Sequence, residues 1–322
     1  MAEKPAFSVI IPFYNDSDHI EGALSSVAAQ TVERDQVEVI VIDDCSDDQE
    51  SERLLRIADT SEVDTRVVHQ NTNKGPGHAR NCGFRESRGK WVSFLDADDR
   101  LYPHKLKDQA EALKKSGADA VISDYDQKAN RQIRHTVAYS WALQEGESFS
   151  PALAIRCGIQ LGATLMKRET VEELGGFRTM RLGQDKDLFL RSVISGHKWV
   201  YHPGQVSEYT IRDESISSGE LNYLKKVSRK PILLLAHKNL VRYNRLDAAS
   251  SKVLADKLAI EARRWAAYGF WECADDRYRR AKQLDPDVQI RAKPFFRICS
   301  NFFGFLTAEK MRYYINQLTG RS

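Results

Sequence analysis

The sequence predicts an α/β fold in which a mostly parallel central sheet is flanked by helices, followed by an α-helical C-terminal extension. One observation is that short apolar, β-branched runs alternate with amphipathic stretches along the first 126 residues, which is typical of βα units on a parallel sheet. A second is a division of charge: residues 221–322 contain 21 Lys and Arg against 9 Asp and Glu, whereas residues 1–220 contain 27 against 36. Such asymmetry indicates two parts with different partners. We therefore expect one domain over residues 1–220 and a basic helical region over residues 221–322.

The elements of the first domain can be placed in order along the chain. Apolar runs predict strands over residues 7–15, 37–48, 65–71, 90–99 and 118–126. Helical spacing of apolar residues predicts helices between them over residues 19–31, 51–59 and 76–88. Residues 127–160 are polar and weakly patterned, which favours a loop region or a lid. Residues 162–196 predict a further strand, a helix, a Gly-Gly turn and a second helix.

The C-terminal region has apolar residues at helical spacing over residues 223–244 and 251–286. Its segment "GFWECADDRYRRAKQLDP" (269–286) resembles the second half of a tetratricopeptide repeat, and a single copy predicts a helical hairpin. Residues 291–318 mix five phenylalanines with Arg and Lys. Two interpretations stay open for that segment, an amphipathic stretch in a membrane interface and a helix packed on the first domain. The positive charge favours peripheral contact with an anionic membrane.

Composition and cysteine use limit the class of protein. With 42% apolar and 29% charged residues, the chain has the composition of an ordinary globular protein. Its five cysteines are scattered and form no Cys-x-x-Cys pair, which favours reduced thiols in the cytoplasm rather than disulfides or a zinc site. No apolar stretch reaches 18 residues, and the N-terminus lacks a signal-peptide pattern. No nucleic-acid-binding module is recognisable, so we expect no nucleic acid partner.

Polar residues gather where the predicted strands end. The pairs Tyr14-Asn15 and Asp43-Asp44 follow apolar runs, and so do Asp96 and Asp98. In parallel α/β sheets ligands bind beyond the carboxyl ends of the strands, so we expect a ligand site at this edge. The Asp-x-Asp pattern also suits a hard divalent cation such as Mg2+ or Mn2+, which commonly bridges to phosphate.

The same acids have structural interpretations. Asp43 and Asp44 can serve as turn residues or as the N-cap of the helix that follows. One of the three acids after the fourth strand is expected to cap the helix that starts near Pro103, and Asp99 is the best placed. Capping cannot use all three acids, which keeps the cation interpretation open for the other two.

Two further segments carry candidate site residues. The segment "NKGPGHARN" (73–81) is rich in Gly and Pro but lacks the Gly-Lys-Ser/Thr ending of a phosphate-binding P-loop. It predicts a loop followed by a helix that carries His78, Arg80 and Asn81 near the site. Asp185 precedes the apolar run "LFLRSVI". An N-cap is one interpretation of that acid, and a catalytic carboxylate at a helix start is the other.

Five segments, in this order and spacing, resemble the family 2 inverting glycosyltransferases, which have the GT-A nucleotide-sugar-binding fold. They are "SVIIPFYN", "VIVIDDCSDD", "NKGPGHARNCGF", "WVSFLDADD" and "LGGFRTMRLGQDKDLFLR". The resemblance spans about residues 6–218. It implies that Pro12 and Tyr14 border the nucleotide-sugar site, with Tyr14 against the base. It also implies that Asp44 accepts a hydrogen bond from uracil or its equivalent.

The resemblance implies roles for the remaining site residues. Arg80 belongs to the implied nucleotide-sugar site, Asp96 lies near the ribose and diphosphate, and Asp98 holds Mn2+ or Mg2+. Asp185 matches the general base. These roles suit the chemistry, because a cation neutralises the leaving diphosphate and a carboxylate on the opposite face takes the proton of the acceptor hydroxyl. A single displacement of this kind inverts the anomeric centre.

Two positions depart from the family pattern. Gln184 stands before Asp185 where the family usually has Glu, which removes a charge next to the base. Arg212, in "YTIRDESISSG" (209–219), stands where the family often has His, and it is either a clamp on the diphosphate or a surface arginine. Asp187 is a rival for the base, and the motif position favours Asp185. No Gln-x-x-Arg-Trp segment follows, so processive polymer synthesis is not expected.

We therefore predict a cytoplasmic, metal-dependent inverting glycosyltransferase that works at the inner face of a membrane. It would move a single sugar from a nucleotide-sugar donor, a UDP-sugar, to a lipid-linked or free saccharide acceptor in the synthesis of a polysaccharide or glycan precursor. Two alternatives stay open. A nucleotidyltransferase would carry a basic phosphate loop near the N-terminus, where "IPFYNDSDH" is acidic. A non-catalytic nucleotide-sugar-binding module would keep Asp44 and Asp98 but have no use for Asp185.

Overall fold

The computed structural model describes residues 4–129, 132–180, 182–212, 231–289 and 304–319. The chain forms two compact units. The first unit runs to Ser150 and resumes at Gly158, and the second consists of Pro151–Cys157 and the chain from Lys230 onwards. The predicted domain boundary at residues 220–221 lies outside the described residues.

Nine strands within the described residues form one sheet in the first unit. They are β1 (Phe7–Phe13), β2 (Val37–Asp43), β3 (Asp64–His69), β4 (Trp91–Phe94), β5 (Arg100–Leu101), β6 (Ala120–Ala129), β7 (Gln132–Val137), β8 (Thr164–Lys167) and β9 (Trp199–Thr210). Their spatial order is β3-β2-β1-β4-β8-β6-β9-β5, with β7 paired to β6. The prediction of a mostly parallel α/β sheet flanked by helices is confirmed.

The α-helices of the described residues alternate with these strands and then follow them. They are α1 (Ser17–Ala28), α2 (Asp48–Asp59), α3 (Pro76–Glu86), α4 (Lys105–Ser116), α5 (Pro151–Arg156), α6 (Arg168–Glu173), α7 (Gln184–Ser195), α8 (Pro231–Arg242), α9 (Ala248–Ala266), α10 (Trp271–Leu284) and α11 (Phe305–Thr319). Every strand and helix predicted between residues 7 and 126 is present, with ends that differ by a few residues. The prediction of a loop region over residues 127–160 is wrong in part, because β7 and α5 lie there.

The parallel half of the sheet is built around β1, which pairs with β2 on one side and β4 on the other. Alternate strand residues face opposite sides. Val9, Ile11 and their neighbours on β2 pack with α1, α2 and α4, whereas Ile40 and Ile42 pack with α3. Helix α3 lies very close to the sheet, because a Cβ on Gly83 would stand only 2.4 Å from a side-chain carbon of Ile10. The absence of a side chain at Gly83 therefore allows α3 to pack directly against β1.

The second half of the sheet contains the antiparallel pairs. Strand β8 runs antiparallel to both β4 and β6, while β9 runs parallel to β6 and antiparallel to β5. Behind β4 and β8, helix α4 buries the whole side chain of Lys105. Its amine donates to Ser93 Oγ at 3.0 Å and to the Thr164 carbonyl at 2.9 Å. Burial lowers the pKa of Lys105 to about 7.

The second unit is helical, as predicted for the C-terminal extension. Helices α9 and α10 form the expected hairpin, joined by a turn in which Gly269 has φ +80°. Inside this unit Arg277 is buried and its Nε lies 3.4 Å from Glu261. Residues 290–303 of the predicted aromatic segment lie outside the described residues. None of the helices among the described residues combines the length and the hydropathy of a membrane-spanning segment.

Candidate active site

The loops that leave β1 and β2 are tied together at the carboxyl edge of the sheet. Asn15 donates from its side-chain amide to Asp47 Oδ2 at 3.0 Å, and Asp47 N–H donates back to Asn15 Oδ1 at 2.9 Å. Asn15 and Cys45 both have positive φ, of 48° and 66°, which lets each chain turn sharply as the strand ends. Tyr14, the first residue after β1, is 51% exposed at this edge, and Pro12 lies within β1.

The adjacent acids Asp43 and Asp44 have different surroundings. Asp43 accepts from the Ser46 N–H at 2.9 Å and from the Ser51 hydroxyl, and His69 Nδ1 lies 2.9 Å away. Burial opposes ionisation of Asp43, but these hydrogen bonds outweigh it and hold its pKa below the usual value. The turn interpretation therefore fits Asp43.

The carboxylate of Asp44 is also buried and points towards the loop that precedes α3. It accepts the backbone N–H groups of Lys74, at 3.0 Å, and Gly75, at 2.6 Å. Gly75 is the N-cap of α3 with φ +84°. Asp44 therefore fixes the loop before α3, beside the position predicted for the nucleotide base. The helix that follows it, α2, has Asp47 as its N-cap, so the N-cap interpretation of Asp43 and Asp44 is wrong.

Arg80 of α3 connects the acids after β4 with the start of α7. This side chain is buried and forms an ion pair with Asp96, and its Nη1 donates to Gln184 Oε1 at 3.4 Å. Gln184 is packed tightly at this point, because a Cβ on Gly77 would lie 2.8 Å from its side chain. Two segments separated by about ninety residues are thus joined through one guanidinium group.

Asp98 is held by Arg212, which follows β9. The guanidinium Nε and Nη2 atoms lie 2.7 and 2.6 Å from Asp98 Oδ2. Burial, and next the charge of Asp96, raise the pKa of Asp98, although Arg212 acts to lower it. Arg212 also forms an ion pair with Asp16 at 2.8 Å. The interpretation of Arg212 as a plain surface arginine is therefore wrong.

Asp99 does not cap the helix that follows, which corrects the prediction from sequence. Helix α4 begins only at Lys105, and no side-chain hydrogen bond caps it. Asp99 is instead fully buried and accepts from Gln160 Nε2 at 2.7 Å and from the Thr210 N–H at 2.8 Å. Burial, followed by the charges of Asp96 and Asp98, raises the pKa of Asp99 well above its usual value. Asp99 therefore fixes the end of β9 against the β4 loop.

Asp185 lies in the first turn of α7 but does not cap it. The N-cap is Gly183, with φ +78°, so the N-cap interpretation of Asp185 is wrong. The side chain is half-buried, and its charge acts on the buried Tyr125 of β6. Burial first, and then the charges of Tyr209, Asp185 and Asp99, raise the pKa of Tyr125. The charges of Asp185 and Asp99 thus act on the same tyrosine.

Asp187, the rival for the base, is buried inside the fold. It accepts from Arg191 Nε at 2.8 Å and from Arg178 Nη1 at 3.1 Å. A carboxylate held by two guanidinium groups and 2% exposed is not available to take a proton from a substrate. Of the two acids at the start of α7, Asp185 is therefore the better candidate for the base.

Asp96 and Asp98 make the carboxyl edge of the sheet negatively charged, which favours a divalent cation, but this acidic edge supplies few protein ligands. Among the described residues, no three His, Cys, Asp or Glu side chains are arranged to hold a metal ion. Among the described residues, Arg212 contacts the Asp98 carboxylate, and it does so at the Oδ2 atom. Mg2+ is commonly held by one or two carboxylates together with substrate phosphates and water. Asp98 alone can therefore serve as the protein anchor of such a cation.

Sequence reasoning missed two residues of this edge. Gln160 holds Asp99, and Asp16 holds Arg212. Gln160 precedes a short 3₁₀ turn over Leu161–Ala163, and nothing in its local pattern distinguishes it from a surface glutamine. Asp16 stands immediately before α1, where an N-cap is the default interpretation, yet its side chain makes no capping hydrogen bond.

Comparison with known families matches residues 8–175 to the model of glycosyl transferase family 2. The succinoglycan biosynthesis protein ExoO of Rhizobium meliloti (strain 1021) is 28% identical over 230 residues, which cover 66% of this chain and 63% of ExoO. The poly(ribitol-phosphate) beta-N-acetylglucosaminyltransferase TarS of Staphylococcus aureus (strain Mu50 / ATCC 700699) is 35% identical over 119 residues, 36% of this chain and 20% of TarS. The chain thus spans less than two thirds of either relative.

Two solved structures show the same architecture. The crystal structure of S. aureus TarS 1–349 in complex with UDP-GlcNAc matches with a TM-score of 0.73 and 18% identity, over 99% of this chain and 93% of that one. The mannosyltransferase PcManGT from Pyrobaculum calidifontis, in complex with GDP-Man and Mn2+, matches with a TM-score of 0.59 and 18% identity, over 99% and 89%. The predicted GT-A fold class is confirmed.

Proposed function

Because this chain belongs to glycosyl transferase family 2, whose model covers more than half of it, we propose that it is a metal-dependent inverting glycosyltransferase. It transfers a single sugar from a nucleotide-sugar, a UDP-sugar, to a saccharide acceptor. The observation that carries this proposal is the ion pair and hydrogen bond of Arg80, which join Asp96 to the first turn of α7. A donor-side acid is thereby linked to Gln184, the residue that precedes the candidate base.

The donor side is formed by the ends of β1, β2 and β4. Tyr14 presents an exposed ring, and the residue before it, Phe13, accepts the backbone N–H of Asp44 at 2.9 Å. We therefore propose that the base lies against the ring of Tyr14 and that its polar edge faces Asp44. Asp96 is 39% exposed although it is paired with Arg80, which leaves part of its carboxylate for the ribose. UDP-GlcNAc bound to TarS supports uridine as the base, and the family supports a nucleotide-sugar as donor.

Asp98 is the residue that would hold Mn2+ or Mg2+ on this edge. When bound, such a cation supplies positive charge that stabilises the leaving diphosphate. Asp98 has the surroundings for this role, because burial and the charge of Asp96 raise its pKa and a further positive charge would be favourable there. The Mn2+ in the PcManGT structure supports the proposal.

The reaction on the acceptor side is assigned to Asp185. Its carboxylate takes the proton of the acceptor hydroxyl as that oxygen attacks the anomeric carbon, and the bond to the diphosphate breaks. One displacement inverts the anomeric centre. Asp187 stays fixed between Arg178 and Arg191 and keeps the first turn of α7 in position.

The acceptor is proposed to be a polysaccharide or glycan precursor, lipid-linked or free. ExoO takes part in succinoglycan biosynthesis, and TarS transfers N-acetylglucosamine to poly(ribitol-phosphate). Both relatives support a polymeric acceptor class. Peripheral contact of the basic C-terminal region with an anionic membrane stays a prediction that rests on charge.

Calorimetric titration of the full chain with UDP, GDP, CDP and dTDP, each with and without Mn2+, tests this function. We expect one diphosphate, UDP, to bind tightly only with Mn2+, and Asp98→Ala to abolish that dependence. Binding of no diphosphate under either condition would contradict the proposal. Release of UDP from a UDP-sugar by wild type, and its loss in Asp185→Asn, separates the transferase from a non-catalytic binding module.

A further inference from the structure

Arg212 stands between two carboxylates that come from distant parts of the chain. It contacts Asp98 with Nε and Nη2, at 2.7 and 2.6 Å, on the single oxygen Oδ2. It contacts Asp16 with Nη1 and Nη2, at 2.9 and 2.8 Å, on the two separate oxygens Oδ1 and Oδ2. The Asp16 contact is therefore a complete two-bond fork, the geometry in which Arg binds carboxylate most specifically.

Loss of the Asp98 contact and loss of the Asp16 contact leave Arg212 with different partners. If Asp98 gives up the guanidinium, Arg212 still keeps both bonds to Asp16. Nη2 then loses one of its two carboxylate contacts, and Nε loses the acceptor that Asp98 supplies. If Asp16 is removed, Asp98 is the remaining carboxylate for Arg212 among the described residues. Asp16 thus gives Arg212 a second carboxylate partner, so that Arg212 can release Asp98 and still be paired.

The charged groups around Arg212 come from each neighbouring segment. Asp16 and His19 lie at the start of α1, with His19 Nδ1 2.6 Å from Asp16, and Asp96 and Asp98 follow β4. Burial works against the charge of Arg212, but the bonds and charges of Asp16 and Asp98 outweigh it and raise its pKa. An arginine guanidinium keeps its positive charge in proteins in any case, so Arg212 competes with any other cation for Asp98 Oδ2.

We propose that Asp16 is a positioning residue for cation uptake, which retains Arg212 when Asp98 takes up the divalent cation that accompanies the donor diphosphate. This inference rests on the proposed function. Without Asp16, a cation that takes the Oδ2 atom of Asp98 would leave the guanidinium with no carboxylate partner among the described residues. With Asp16, Arg212 stays in place, and its Nε–H becomes a donor for a phosphate oxygen.

Binding of Mn2+ to the full chain, followed by the electron paramagnetic resonance signal of free Mn2+, tests the inference without measuring catalysis. We expect Asp16→Asn to weaken Mn2+ binding about tenfold, within the range of ordinary coupling between sites. Asp16→Ser removes the same charge and should give the same result. Arg212→Gln should instead tighten Mn2+ binding, because the competing guanidinium is gone.

The decisive comparison is the double variant. In the Arg212→Gln background, Asp16→Asn should weaken Mn2+ binding by less than about threefold, since only a screened charge is lost there. Equal weakening in both backgrounds would overturn the proposal, because Asp16 would then act as a ligand or through its charge alone. Asp18→Asn is the matched control, an acid of α1 that pairs with Arg53 instead of Arg212, and should leave Mn2+ binding unchanged.

Adding saturating UDP separates this inference from the function it rests on. If wild type binds Mn2+ neither alone nor with UDP, the proposed function fails and the inference fails with it. If wild type binds Mn2+ with UDP and both Asp16 variants behave like wild type, the inference alone is overturned.

Discussion

Thr210 donates its backbone N–H to the buried carboxyl of Asp99 at 2.8 Å, across 111 residues of chain. This bond fixes the end of β9 against the loop that carries Asp96 and Asp98. As a result, Arg212, two residues beyond β9, reaches Asp98, and β9 is a strand that the sequence pattern did not predict. The acidic edge is thus assembled from both halves of the sheet, and its properties can be tested one residue at a time.

Exchange of Asp185 should affect turnover and leave folding intact. We expect Asp185→Asn to lower the rate of UDP release from a UDP-sugar by about 10²- to 10⁴-fold, the usual contribution of a positioned base. The variant should keep its melting temperature and its affinity for UDP. Asp187→Asn is the matched control, because it leaves two guanidinium groups without their buried partner and should lower the melting temperature. Unchanged turnover in Asp185→Asn would refute its role as base.

Exchange of Asp44 should affect both the loop before α3 and nucleotide binding. Asp44→Ala removes the acceptor of the Lys74 and Gly75 N–H groups, so we expect the free energy of unfolding to fall by about 1–3 kcal/mol. Titration of the folded variant with UDP and Mn2+ should show weaker binding. A variant that is destabilised but binds UDP like wild type would mean that Asp44 only holds the loop.

Substitution of Gly83 tests the close approach of α3 to the sheet. In Gly83→Ala the new methyl group would meet Ile10 at 2.4 Å and Ile42 at 3.2 Å. The helix must therefore move outward, and overpacking of this kind costs about 1–3 kcal/mol of unfolding free energy. Urea denaturation measures the loss. Gly117→Ala is no suitable control, because that glycine has φ +65°; Gly158→Ala, with open space around it, is the better one.

Lys105 should make the stability of the protein depend on pH. Burial lowers its pKa to about 7, whereas the pKa in an unfolded chain is about 10.4. Between these values the unfolded state binds more protons, so stability rises with pH by up to about 1.4 kcal/mol per pH unit. Below about pH 7 the amine is charged in both states and this dependence ends.

The Lys105→Met variant isolates that contribution. It cannot titrate, so the free energy of unfolding of wild type relative to Lys105→Met should increase from about pH 7 to about pH 9. Urea denaturation of both proteins at several pH values within this window gives the difference. A difference that stays constant with pH would show that the amine keeps an ordinary pKa in the fold.

The local part of the architecture could be predicted from the sequence. Strands β1 to β4 and their helices have regular patterns, and the topology of a parallel sheet then brings Asp44, Asp96 and Asp98 to one edge. Strand β9 was missed because Pro203 and Gly204 interrupt it, at the point where its register with β6 shifts. A proline lacks the N–H that a central strand donates, so it argues against a strand unless the ladder is irregular there.

The long-range contacts of the site could not be predicted in the same way. The local sequence around Asp99 is typical of a helix N-cap. Its hydrogen bonds with Gln160 and Thr210, which are distant in the sequence, show that it instead fixes β9 against the loop after β4. The contact of Asp16 with Arg212 spans 196 residues. Such pairs depend on the completed sheet, and neither periodicity nor capping rules carry information about them.

The distance along the chain between Asp99 and Thr210 has a consequence for biosynthesis. A ribosome that adds about 5–20 residues per second needs roughly 6 to 22 s to reach Thr210, the last residue of β9, after it has made Asp99. During that interval the nascent chain carries the acids without Arg212, and β5 and the outer edge of β6 lack their partner strand. Docking of β9 therefore joins β5 to β6 and brings Arg212 to the acidic cluster. A chain released before residue 210 would expose these unpaired strands and would be a substrate for chaperones and proteases.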